Sequence, residues 1–293
     1  MQFFGQLSIA PRFRASLVTL LFFAAVPLKS AAHGDYHEVV KKLAAQLRVS
    51  PSDPNLRHKL ALAHINHGDW GLGMASLDQL EALAPSEFPI RFLRGRAWNI
   101  AGKPKKALSF LNRFLLENPQ HAEAHFQSGI SFRKLGKIPE AVGEFRLALK
   151  LSQKPQIQNF QQLAQVLHLN RQSAAASKVI DQGVTTSGPS PSLLRTGFEL
   201  EMESQQWDRA LARINALQKI APTPEPWLKL RAEALEQAGR ARQARVVWKE
   251  LLDHLDALAS LKKGTSQNQA IRQAALQALG LSRPEPVSIP PAR

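Results

Sequence analysis

Between residues 50 and 258, apolar side chains recur at the three- and four-residue spacing of helices, in runs of about a dozen residues. Prolines punctuate this pattern at Pro51, Pro85, Pro119, Pro155, Pro189 and Pro222, at intervals of 34, 34, 36, 34 and 33 residues. Small residues recur at one phase between them. Gly68, Gly102, Gly136 and Gly239 are followed, five residues on, by Gly73, Ala107, Ala141 and Ala244. Each period therefore predicts two helices, with glycine allowing a tight turn between them and proline ending the second. Helices this short cannot bury their apolar faces in pairs, so neighbouring units must stack into one continuous core.

These positions resemble the tetratricopeptide repeat, a 34-residue helix–turn–helix unit. Counted from the start of a unit, that family favours small residues at positions 8 and 20, bulky ones at 4, 7, 11 and 24, and proline near 32. Residues 88–121 match through Gly95, Trp98, Gly102, Ala107, Leu111, Phe114 and Pro119, and residues 122–155 through Gly129, Phe132, Gly136, Ala141, Phe145 and Ala148. Residues 54–87 supply Leu60, Ala61, Gly68, Leu77 and Pro85, with His64 in place of the usual aromatic. Residues 225–258 supply Ala232, Leu235, Gly239, Ala244, Trp248 and Leu251.

Two units depart from the pattern. Near 157–190, Phe160, Leu163, Ala164, Leu167, Ala176 and Ile180 fit, but the turn holds Asn170-Arg171 instead of glycine. Near 191–224 the second helix fits through Ala210, Ile214, Leu217 and Pro222, whereas the first can be framed on Gly197/Leu200 or on Phe198/Glu201. The resemblance implies an all-α, right-handed superhelical solenoid of about six repeats over residues 54–258.

Both ends predict capping helices, which shield the open faces of such a stack. Val39, Val40, Leu43 and Leu47 place one within residues 33–53, as a lone second helix over 36–49. Within residues 259–281, Ser266 caps a helix over 267–279 with Ile271, Leu276 and Leu279 inward. Pro284, Pro286, Pro290 and Pro291 make residues 282–293 a flexible tail.

The N-terminus adds an address. Arg12 and Arg14 precede an uncharged apolar run at residues 15–28, followed by the small residues Ser30, Ala31 and Ala32. This is the pattern of a secretory signal peptide over residues 1–32, cleaved after Ala32, and it predicts a periplasmic or secreted protein. The run of 14 residues is short of the roughly 20 needed to span a bilayer, although an uncleaved anchor is the alternative. The chain has no cysteine, which excludes disulfide frameworks, thiol catalysis, Cys-ligated metal and a lipid-modified N-terminal cysteine.

Charge is strongly basic, with 38 Lys and Arg against 23 Asp and Glu, a formal net of +15. Removing residues 1–32 takes away Arg12, Arg14 and Lys29 and no acid, leaving +12. Behind an export signal, nucleic acid is not the expected partner; envelope proteins, anionic headgroups or acidic polysaccharide are.

Catalytic motifs are missing. The sequence holds no G-x-S-x-G elbow, phosphate-cradling glycine loop or H-E-x-x-H pair, so the expectation is a protein that is not an enzyme and needs no cofactor. His121 and His125 are four apart but lack a third ligand, and His58, His64 and His67 share the first helix of the first unit, where His64 falls at the inward position 11 and packing is the expectation. Metal binding is not expected, save that a mature N-terminal His33 with His37 would form a copper site.

What the resemblance leaves is a concave groove, lined by positions 2, 5, 9, 12 and 13 of each first helix. Carried over by phase, these are His58, Leu62, Ile65 and Asn66; Phe92, Arg96, Asn99 and Ile100; and Phe126, Ile130, Arg133 and Lys134. The expected partner-binding residues are Leu62, Ile65, Phe92, Arg96, Asn99, Phe126, Ile130, Arg133 and Lys134. Aromatic and arginine anchors suit a peptide. Glu199, Glu201, Glu203, Glu233 and Glu236 would turn the far half of the groove acidic, with Lys229 among them. The Lys/Asn carboxylate clamp of some family members is replaced here by His58 and Leu62. The sequence thus predicts a non-enzymatic exported scaffold that binds a protein segment and supports assembly of an envelope or secreted complex. The alternatives are an accessory of polysaccharide export or cell-wall machinery that binds an acidic polymer, and a copper-handling protein.

Overall fold

A computed structural model of the chain describes residues 29–221, 223–258 and 264–281. Within them lie fourteen α-helices. Helix α1 (Lys29–Val49) leads into six antiparallel pairs: α2 (Pro54–His67) with α3 (Trp70–Leu83), α4 (Ile90–Ile100) with α5 (Pro104–Glu117), and α6 (Ala122–Lys134) with α7 (Ile138–Leu151). There follow α8 (Ile157–Leu169) with α9 (Ser173–Ser187), α10 (Pro191–Glu203) with α11 (Trp207–Ile220), and α12 (Glu225–Gln237) with α13 (Ala241–Ala257). Helix α14 (Ser266–Ala278) closes the array. Residues 1–28 of the expected signal peptide, Pro222, residues 259–263 and the expected tail lie outside the described residues.

Local chemistry starts the helices. The Asp53 carboxylate accepts from the backbone N–H of Asn55 and Leu56, with Pro54 at the first helical position. Ser190 and Pro191 play the same parts for α10. Side-chain acceptors satisfy donors that have no intrahelical partner, and proline there lacks only an N–H the helix would not use. Thr265 caps α14 through the N–H of Asn268, and Ser266 is its first helical residue; the expected cap therefore lies one residue earlier. Helix α1 begins seven residues before the expected 36 and runs through residues 32 and 33.

The turn inside each unit takes one shape. Position 15 has a positive φ in all six: Gly68 at 99°, Gly102 at 69°, Gly136 at 72°, Arg171 at 58°, Gln205 at 57° and Gly239 at 73°. This backbone reverses the chain in two residues and closes the preceding helix. It also fixes the frame left open in the sequence. With Gln205 at position 15, the fifth unit starts at 191, so Phe198 occupies position 8 and Glu201 position 11.

Packing between paired helices is close where position 8 is glycine. A Cβ on Gly95 would stand 2.6 Å from Leu111 Cγ, and one on Gly129 2.8 Å from Phe145 Cδ1. Leu111 and Phe145 are buried as a result, and with Ala61, Leu77, Leu80 and Leu93 on one side and Phe160, Leu167 and Ile180 on the other they extend the core along the stack.

Arg171 and Gln205 hold a left-handed backbone that costs a non-glycine residue roughly 1–2 kcal/mol, part of which glycine gives back through its looser unfolded chain. Arg171→Gly with Gln205→Gly should raise stability by about 1 kcal/mol in urea unfolding followed by circular dichroism. A lowered midpoint would contradict the shared turn geometry.

Candidate functional site

Helices α2, α4 and α6 lie side by side, and their common face, closed at one end by the start of α8, forms an open cavity of about 590 Å³. Seven of the nine expected groove residues line it: Ile65, Phe92, Arg96, Asn99, Phe126, Ile130 and Lys134. Leu62 does not; it packs half-buried against the core of the first two units. Arg133 is also outside the lining, and its Nε is enclosed without a hydrogen-bond partner. Gln156, Gln158 and Asn159 of the fourth unit line the cavity as well. Their signal was available in the phase of that unit, where Gln158 falls at position 2.

The floor is more ordered than the sequence suggested. Phe92 and Phe126 are only 6% and 8% exposed. Phe92 packs 5.6 Å from Phe114 and 4.8 Å from His121, and Phe126 5.4 Å from Phe145, so both rings are chiefly core and offer the groove an edge. Above them runs a polar ladder. Asn99 Nδ2 donates to the Gln127 carbonyl at 2.8 Å, Ser131 Oγ donates to Asn99 Oδ1 at 2.7 Å, and Lys134 Nζ donates to the Asn99 carbonyl at 2.5 Å. Arg96 donates to Asn66 Oδ1 at 2.9 Å and lies 5.9 Å from the Phe92 ring centre. Among the described residues, Arg96, Arg133 and Lys134 form no ion pair. Ile100 is 42% exposed at the end of this face.

Of the acids expected in the far half of the groove, Glu201 does not face it. Glu201 is fully buried and faces α11, where it accepts from Arg213 Nη2 at 2.9 Å and Arg209 Nε at 3.2 Å. Asp181 of the preceding unit completes the network, at 2.5 Å from Arg213 and 2.6 Å from Arg209. Burial pushes the Asp181 carboxyl up, but the Arg209 and Arg213 hydrogen bonds outweigh it and hold the group below its ordinary value. Gly197 makes room, since a Cβ there would lie 2.9 Å from Arg213 Nε. Glu199 pairs with Arg195, Glu203 with His168, Glu233 with Lys229, and Glu236 accepts from the Trp248 indole. Glu201 is thus spent inside the repeat, whereas Glu199 and Glu203 stay more than half exposed on α10.

The histidines find structural partners too. His121 caps α6 through the Ala124 N–H, and His125 bridges Glu144 and the Pro119 carbonyl. His64 is buried, which lowers its pKa, and its Nδ1 lies 2.9 Å from the Tyr36 hydroxyl. Tyr36 also donates to Asp69 at 2.6 Å and stacks on His67 at 3.6 Å, which fastens α1 to the first unit. His37 lies in the same cluster, its ring 6.4 Å from that of His67, whereas the His33 side chain is outside the described residues. Among the described residues no three His, Asp or Glu converge as a metal site.

With this geometry, the class of protein is a stacked helix–turn–helix solenoid with a grooved inner face. No family model matches the chain. It is similar to the DnaJ homolog subfamily C member 3 of Gallus gallus, 26% identical in an alignment 227 positions long that covers 69% of this chain and 45% of that protein. The chain therefore spans less than half the length of this curated relative. Its structure resembles PilW, described as a widely conserved type IV pilus biogenesis factor, at a TM-score of 0.56 and 16% identity over 75% of this chain and 98% of that one. It also resembles YrrB, described as a TPR protein with an unusual peptide-binding site, at 0.51 and 13% over 69% and 97%. The chain is a tetratricopeptide-repeat protein by fold, an all-α solenoid.

Two outcomes follow. Glu201→Ala leaves buried Arg213 with Asp181 alone and should cost about 3 kcal/mol in urea unfolding, while Glu201→Leu with Arg213→Leu should cost clearly less. A single variant within about 0.5 kcal/mol of wild type would show the pair to be idle. Burial and the Asp69 hydrogen bond push Tyr36, the chain's one tyrosine, from 10.0 up to about 12. A raised phenol pKa stabilises docking of α1 fully below pH 10.0, and that stability is lost as pH rises through about 12. Ultraviolet titration should find tyrosinate near that pH and closer to 10.0 in Asp69→Asn; an ordinary value in the folded wild type would undo the clasp.

Proposed function

We propose that the chain is a non-enzymatic scaffold that binds a segment of another protein along the α2–α4–α6 groove and supports assembly of an envelope or secreted complex. The observation that carries this reading is the open cavity along the first helices, whose cations Arg96 and Lys134 have no carboxylate partner among the described residues. A concave face with basic side chains over an apolar floor suits an extended segment that is part apolar, part polar. The polar ladder, in which Asn99 and Ser131 are buried, fixes the wall of the groove before binding, which reduces the ordering cost of association.

Similarity in fold to a pilus biogenesis factor and to a protein with a peptide-binding site supports this reading. Export rests on the sequence pattern of residues 1–32.

Because Phe92 and Phe126 serve the core, the test uses residues that the fold leaves outward. Arg96→Glu with Ile100→Ser and Lys134→Glu should keep helicity by circular dichroism and lower capture of the partner at least tenfold in crosslinking pull-downs from intact cells, read by mass spectrometry. A partner recovered equally by both forms would place binding outside the groove.

A further inference from the structure

The edge formed by the turns inside each unit carries a surface that the groove does not use. Trp70 is 40% exposed and Leu72 is 55% exposed, both on the first turn of α3. The Trp70 ring lies 5.8 Å from that of Trp98, and Lys106 Nζ lies 4.6 Å over the Trp98 ring. Trp98 thereby joins an exposed indole of the first unit to a lysine of the second. Lys103, Lys105 and Lys106 are exposed just after Gly102, and the next two turns along the edge present Lys137 and Arg171. None of these five cations is ion-paired among the described residues. Of the acids beside them, Asp69 is engaged by Tyr36 and His67 and the exposed Glu203 by His168, and Glu140 is exposed without an ion pair among the described residues.

The chain also enters the fold at this edge. Tyr36 of α1 reaches Asp69 and His67 at the α2–α3 turn, next in sequence to Trp70.

We propose that this turn edge docks on an anionic lipid bilayer, with Trp70 and Leu72 at the acyl boundary and Lys103, Lys105, Lys106, Lys137 and Arg171 against the headgroups. Interfacial binding combines inserted apolar side chains with electrostatic attraction, and tryptophan favours that depth. An acidic polysaccharide would satisfy the cations but give exposed Leu72 no apolar phase to enter. No helix among the described residues is long and apolar enough to cross a membrane, so the contact is peripheral. Trp70, Leu72, Lys103 and Lys105 do not line the groove cavity, which therefore stays open to a partner.

The experiment uses the full chain with vesicles of phosphatidylcholine, with and without phosphatidylglycerol. Each lysine at an anionic surface strengthens binding about fivefold, so Lys103→Gln with Lys105→Gln and Lys106→Gln should weaken binding to the anionic vesicles by about 100-fold. A control that removes as much charge elsewhere, Arg113→Gln with Lys150→Gln and Lys154→Gln, should change it by less than about threefold. On bound protein, lipids brominated along the acyl chain should quench tryptophan emission in the wild type and much less in Trp70→Phe. The two triple variants behaving alike, or quenching unchanged in Trp70→Phe, would overturn the proposal. So would release from anionic vesicles by polygalacturonate at equal charge, which would make the edge a polymer site.

Discussion

Everything in this solenoid depends on how closely two short helices can approach. At Gly95 and Gly129 the first helix of a unit lies so near the second that a single added carbon would meet Leu111 or Phe145 at under 3 Å. That approach lets a pair of helices, each three to four turns long, enclose a full apolar side chain between them. The left-handed residue at position 15 enforces it by turning the chain back at once. Since a pair still leaves one face open, each unit is completed by the next, and the cap helices α1 and α14 end the series.

Where the small residue is lost, the structure changes its chemistry. The fifth unit puts Phe198 at position 8, and Glu201 takes the place of the bulky side chain three residues on. A buried carboxylate is tolerable only if fully paired, and Arg213 and Arg209 pair it while Asp181 of the preceding unit holds the same two arginines. The network sits where the core of the middle units gives way to a separate apolar cluster around Phe198, Ile214 and Ala234. The Glu201 carboxylate that the sequence places in the groove is used there to hold the stack together. The open cavity lies in the first half, where Arg96, Lys134 and Glu123 line it.

The architecture was legible because its signals are periodic: proline spacing, small residues at one phase and apolar positions at helical intervals all repeat. Residues that face the groove followed from that phase, and most of them line the cavity. Three things were not legible. Arg171 and Gln205 adopt the glycine conformation without being glycine, so the turns of two units carried no mark. Glu201 reads as a surface acid because its partners Arg209 and Arg213 lie on the next helix and Asp181, which completes the network, is distant in sequence. Finally, the exposure of Phe92 and Phe126 depends on what Phe114, His121 and Phe145 leave uncovered, which no spacing reveals.

Groove binding is tested most directly by placing a photocrosslinking amino acid at single sites in the living cell. Ile100, 42% exposed at the groove, and Leu116, 84% exposed on α5 outside the cavity lining, make the comparison. A partner that recognises the groove should be trapped from position 100 and not from position 116. Trapping from 116 alone would show that the inner face is not the binding surface.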